Sequence, residues 1–183
     1  VHFQATEAGK PMTVPAYEGE GLTDFGRELV RELERLGVIV DLAHLNAAGV
    51  SEALESMERP FVVSHSACRA LHDHPRNLDD TELRRIADRG GVIGIAFGRS
   101  FIGNPGGVEG LLDHLVHALD KAGPDAVALG SDYDGFIVPV AGLGDVRGYP
   151  RITQGLLERR VPADVIRKLL GENALRVVSE ICG

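Results

Sequence analysis

At 183 residues, 44% of them hydrophobic and 25% charged, the chain falls in the single-domain range and is long enough to bury one substantial core. A formal net charge of −8 argues against a nucleic-acid backbone or an anionic membrane surface as partner. The two cysteines, Cys68 and Cys182, are too few for a disulfide framework, and no 18-residue apolar run exists to span a membrane.

Residues 7–21, rich in Gly, Pro and Glu, read as a loop. A helix is expected over 24–36, with Phe25, Leu29, Val30, Leu33 and Leu36 as its apolar stripe and Gly37 in the C′ position. A strand at 38–42 and a helix at 47–57 carrying Ala48, Leu54 and Met57 follow, and Pro60 opens a strand at 61–64. Asp79, Asp80 and Glu82 suit the acidic first turn of a helix over 79–89, after which Gly90-Gly91 lead into a strand over 92–97. A loop holding Gly103, Pro105, Gly106 and Gly107 precedes a helix at 108–121 and a strand at 126–130. An irregular stretch over 135–149 leads to helices at 151–160 and 163–180.

Strand and helix alternate, and the strands are continuous Val/Ile runs, the pattern of a parallel sheet covered by helices. Four strands are expected, with a possible stub at Val1-His2-Phe3. A complete eight-stranded barrel takes about 200–250 residues. The expected fold class is therefore α/β, either a smaller open sheet or the C-terminal half of a (β/α) barrel, with residues 1–183 as one unit. No G-x-G-x-x-G or Walker A pattern follows a strand, so a nucleotide-binding reading has no support.

The chemistry collects at the ends of these strands. His44 closes the run Val38-Ile39-Val40-Asp41-Leu42-Ala43, and His65 closes Pro60-Phe61-Val62-Val63-Ser64. The run Ala126-Val127-Ala128-Leu129-Gly130-Ser131 ends in Asp132. Such ends share one rim of a parallel sheet, where (β/α) barrels place their active sites. Neutral imidazoles are good zinc ligands, and Asp41 is a candidate to orient the His44 ring. Asp132 is a candidate base or ligand, whereas Asp134 reads as loop support. Arg76, in the polar loop His72-Asp73-His74-Pro75-Arg76-Asn77, is placed to grip a substrate carboxylate. His72 and His74 are expected to be exposed, and His114 and His117, three apart on a helix, to serve packing or the surface. Ser64 and Ser66 flank His65 without a G-x-S-x-G elbow, which argues against a serine nucleophile. Cys68 is expected to be structural.

Taken together, Asp-Leu-Ala-His at 41–44, Ser-His-Ser at 64–66, Arg76-Asn77 and Gly-Ser-Asp-Tyr-Asp-Gly at 130–135 resemble the membrane dipeptidase (renal dipeptidase, M19 peptidase) family. So does Gly-Leu-Thr-Asp-Phe-Gly at 21–26. The resemblance implies a TIM-type (β/α)8 barrel with two bridged zinc ions and hydrolysis of dipeptides by a metal-bridging hydroxide. It also implies that His44 and His65 ligate zinc, that Arg76 and His2 bind substrate, and that Asp132 handles protons at the scissile amide. A homodimer is a further implication, and with no anchor signal visible the expected compartment is the cytoplasm. The family's His-x-Asp and its bridging glutamate are expected upstream of these residues, so the match is to the C-terminal part of the enzyme. Two alternatives stand beside it: a non-catalytic half barrel acting through self-association or a partner, and another amidohydrolase-like metal hydrolase.

Overall fold

The computed structural model describes residues 21–103 and 107–183; His2 and the stub at 1–3 lie outside them. Helix α1 (Asp24–Arg35) starts where the Thr23 side chain accepts the Gly26 N–H at 3.0 Å, and it ends before Gly37, whose φ of 68° continues the chain in the left-handed region. Its buried residues are Gly26, Val30 and Leu33. Phe25, expected in that stripe, is 71% exposed, because it sits off the Gly26–Val30–Leu33 line. Helix α2 (Ala47–Ser56) is capped by Asn46, which accepts the Gly49 N–H at 2.7 Å.

Strands β1 (Val62–Ser66), β2 (Val92–Ile95) and β3 (Val127–Leu129) form a parallel sheet in chain order. The strand expected at 38–42 is reduced to an isolated bridge between Asp41 and Val62. Its parallel pattern is present, with Val62 N–H donating to the Val40 carbonyl and Leu42 N–H to that of Val62, at 3.0 and 2.9 Å. The ladder stops there because the Asp41 carboxylate accepts the Ala43 N–H and bends the chain into a turn. Register in β1 shifts between Val63 and Ser66, an irregularity that turns out to shape the site.

Helix α3 (Asp80–Asp88) carries a complete capping box between Asp79 and Glu82. A short helix α4 (Arg99–Ile102) occupies what the sequence suggests is loop, with Gly103 ending it at φ 85°. Helices α5 (Val108–Ala122) and α6 (Tyr149–Glu158) follow, and a 3₁₀ turn at Val146–Gly148 brings α6 forward into the stretch expected to be irregular. The single helix expected at 163–180 is instead α7 (Ala163–Arg167), a wide turn at Lys168–Glu172, and α8 (Asn173–Cys182). Gly171 breaks the continuity with a non-helical backbone at φ 177°, ψ −28°.

Val63, Ile93, Ile95 and Val127 belong to the main core, with Leu83, Ile86, Leu111, Leu112 and Leu115 of α3 and α5. Val92 and Ala128 meet Val177 and Ile181 of α8 in a second, smaller cluster. The Arg176 guanidinium donates to the Gly90 and Asp125 carbonyls, just ahead of β2 and β3, at 3.0 and 3.2 Å. Helix α8 thus closes the N-terminal ends of the strands, and the opposite rim carries His44, His65 and Asp132. Among the described residues no helix is long and apolar enough to cross a membrane.

Candidate active site

His44 and His65, 21 residues apart, meet across the rim with their Nε2 atoms 3.0 Å apart and their ring planes at 65°. Two imidazole nitrogens bound to one tetrahedral zinc at about 2.0–2.1 Å stand about 3.3 Å from each other. The observed separation is close to that span, so the pair fits a shared metal ion. Among the described residues no third His, Cys, Asp or Glu side chain completes a ligand cluster.

Asp41 is expected beside His44; among the described residues its hydrogen bonds lead instead to His65, through Ser64. One carboxylate oxygen accepts the backbone N–H groups of Ala43 and Ser64, each at 3.0 Å. The other accepts the Ser64 hydroxyl at 2.5 Å, and that hydroxyl lies 2.7 Å from His65 Nδ1. Sequence proximity suggested the wrong histidine: the bend at Ala43 turns the carboxylate toward β1.

Arg76 is tied to both histidine segments. Its guanidinium donates to the Ala43 carbonyl, next to His44, at 2.8 Å, and its own carbonyl accepts the hydroxyl of Ser66, next to His65, at 2.8 Å. The guanidinium carbon sits 5.1 Å over the Phe101 ring, in cation–π range. Burial pushes its pKa down, and the negative charges of Asp132 and Asp41 work against that. No Asp or Glu among the described residues forms a direct ion pair with it, and its Nε is buried without a hydrogen bond. A half-buried cation in this state is suited to an incoming carboxylate.

Asp132 lies in the left-handed region at φ 59° and begins a turn closed by Gly135 N–H on its carbonyl at 3.0 Å. Its carboxylate rests over the Gly135 α-carbon, where a Cβ would collide with it. The loop beyond is laced to the rim: Val140 N–H donates to the Phe97 carbonyl at 2.8 Å and Arg99 N–H to that of Val138 at 2.9 Å. Tyr133 packs edge-on against Phe97 at 5.7 Å. Asp134 is exposed.

The rim is also tight in its backbone. A Cβ at either Gly94 or Gly130 would collide with the Ser64 carbonyl oxygen. These two glycines let β2 and β3 close in beside the segment that carries His65.

The other candidates have structural roles. Asn77 is buried and donates to the carbonyls of His72 and Phe101, at 2.9 and 2.8 Å, pinning the loop that presents Arg76. His72 and His74 are partly buried, not exposed as expected, because their rings stack with each other and His74 packs on Phe101. His114 is a core residue whose Nδ1 accepts the Cys68 N–H at 3.0 Å, while His117 pairs with Asp80 at 2.7 Å. Cys68 donates to the His114 carbonyl at 3.4 Å, and burial pushes its thiol pKa up to about 12.

Comparison with known proteins finds relatives over most of the chain. The family model for membrane dipeptidase (peptidase family M19) matches residues 2–182. The dipeptidase tcpJ of Claviceps purpurea is 37% identical over 165 residues, which are 88% of this chain and 39% of that protein. A metallo peptidase from Rhodobacter sphaeroides, solved with a phosphinate mimic of the dipeptide L-Ala-D-Ala, superposes with a TM-score of 0.83 at 36% identity. That match covers 89% of this chain and 48% of the solved one. An amidohydrolase from Pseudomonas aeruginosa gives a TM-score of 0.81 at 30% identity, over 88% of this chain and 57% of that one. The chain spans about two fifths of the length of the curated relatives it matches, and its sheet and helices form part of a (β/α) barrel.

Proposed function

From the premise that the chain belongs to the membrane dipeptidase family, peptidase family M19, we propose that it carries the substrate-carboxylate anchor and half of the metal-binding rim of a zinc-dependent dipeptidase. The observation that carries this reading is the opposed His44–His65 pair, with Arg76 bonded to the segment on each side of it. His44 and His65 would hold a zinc ion; when bound, zinc lowers the pKa of water and polarises an amide carbonyl. The complete family site takes two such ions.

Arg76 binds the terminal carboxylate of the dipeptide with the free face of its guanidinium. Its placement next to the histidines restricts productive substrates to those with a carboxylate close to the scissile amide. Asp132 moves the proton to the departing amine, within electrostatic reach of Arg76. His2 contacts substrate, and the working assembly is a homodimer. The solved Rhodobacter relative, bound to a mimic of L-Ala-D-Ala, supports a dipeptide of that class, with a D-residue accepted at the C-terminal position.

The test is zinc content after reconstitution, followed by dipeptide hydrolysis with Arg76→Ala as the diagnostic variant. Loss of a charge-assisted anchor raises KM for dipeptides about 10- to 100-fold. Dipeptide amides, which lack the carboxylate, are affected little. Equal losses on both substrates would remove Arg76 from this role, and a chain that retains no zinc would remove the histidine pair from theirs.

A further inference from the structure

We propose that Asp41 and Ser64 act as a proton-ordering pair that locks His65 in its Nδ1–H tautomer, so that its Nε2 lone pair faces His44. A carboxylate only accepts hydrogen bonds, and a serine hydroxyl has a single proton to give. At 2.5 Å from Asp41 Oδ2, the Ser64 hydroxyl gives that proton to the carboxylate. It can then only accept from His65 Nδ1, 2.7 Å away, and that nitrogen must carry a hydrogen. A neutral imidazole protonated at Nδ1 has its lone pair on Nε2. That atom is the one 3.0 Å from His44 Nε2.

The backbone makes the contact possible. In a regular strand, consecutive side chains point to opposite faces. The register shift between Val63 and Ser66 breaks that alternation and lets Ser64 and His65 meet side by side. The acceptor end is equally held, since Asp41 Oδ1 takes the N–H groups of Ala43 and of Ser64 itself. Ser64 is thus a positioning residue: it touches no reacting atom and acts by deciding which ring nitrogen is available.

The consequence for metal binding rests on the reading of His44 and His65 as ligands; the tautomer itself does not. Asp41→Asn is the sharpest perturbation, being nearly isosteric. Its amide oxygen keeps the two backbone N–H groups, and its NH₂ group replaces the acceptor facing Ser64. The hydroxyl then accepts from Asn and donates to His65 Nδ1, which moves the ring proton to Nε2. Ser64→Ala removes the lock, and Ser64→Thr restores it with a hydroxyl in the same place.

Two measurements are made on the 183-residue chain. Nitrogen NMR of the metal-free protein, at a pH where the ring is neutral, reads the His65 tautomer; zinc affinity is read by competition with a chromophoric chelator. The expected results are Nδ1–H in the wild type and in Ser64→Thr, and Nε2–H in Asp41→Asn. Zinc binding falls about 10- to 100-fold in Asp41→Asn and Ser64→Ala, and Ser64→Thr recovers it. A wild-type His65 protonated at Nε2, or an Asp41→Asn protein with unchanged tautomer, overturns the proposal. If Asp41→Asn does not fold, Ser64→Ala and Ser64→Thr decide by the same nitrogen NMR, and an Nδ1–H tautomer equally populated in the two overturns it. A wild type that shows the Nδ1–H tautomer but binds no zinc leaves the lock standing and refutes the metal reading instead.

Discussion

His114 is 2% exposed, on the buried face of α5, and links two elements of the rim scaffold. Its Nδ1 accepts the Cys68 N–H at 3.0 Å and its Nε2–H donates to the Ile102 carbonyl at 3.3 Å, so the neutral ring is the one the fold wants. Burial lowers its pKa from 6.5 to about 4; the nearby His72 and His117 push the same way, against the Ile102 hydrogen bond and Asp113. Between those two values the unfolded chain binds a proton that the folded chain refuses, so stability rises with pH across that window. The contribution is fully present above about pH 6.5 and declines as the pH falls toward about 4. At about 1.4 kcal/mol per pH unit, the whole window is worth roughly 3 kcal/mol. In urea this is a drop of about 1–3 M in the unfolding midpoint. The assay is a set of urea melts across that range on the wild type and on His114→Gln, whose amide does not titrate. The variant is less stable at neutral pH and loses less on acidification, and the difference between the two slopes isolates His114 from every other titrating group. Parallel slopes for the two proteins would refute the assignment.

Other substitutions test the scaffold. Gly130→Ala places a methyl group against the Ser64 carbonyl and 2.8 Å from the Gly94 carbonyl carbon, and should cost about 1–3 kcal/mol in a urea melt. Gly144→Ala, at a position with no atom within 4 Å of the new Cβ, should stay within about 1 kcal/mol of the wild type or be slightly stabilising; similar costs at both sites would contradict the tight rim. Asp79→Ala removes the side chain that accepts the N–H groups of Thr81 and Glu82, each at 2.8 Å. It should lower stability by about 1 kcal/mol, with faster amide exchange confined to the first turn of α3; unchanged exchange there would mean that the capping box is idle.

The sequence by itself determined what depends on near neighbours. Asp79 and Glu82 announce the start of α3, Gly37 the end of α1, and both are found in those roles because a cap is satisfied within one helical turn. The apolar runs that end in His44, His65 and Asp132 were legible for a similar reason: strand direction alone assigns their ends to one rim of a parallel sheet. The quoted motifs also sufficed to identify the family. Tertiary structure decided the partners. Asp41 lies three residues from His44 and 23 from Ser64, yet it serves Ser64, because the turn at Ala43 and the irregularity in β1 depend on how two distant segments register. Periodicity placed Phe25 in the core and carried one helix from 163 to 180. Whether a surface is covered is settled by the element packed opposite, and Gly171 breaks a helix the pattern would have continued. His114 and His117 share a spacing, but one is a core residue and the other pairs with Asp80 nearer the surface, since desolvation is a property of the assembled fold and not of the chain.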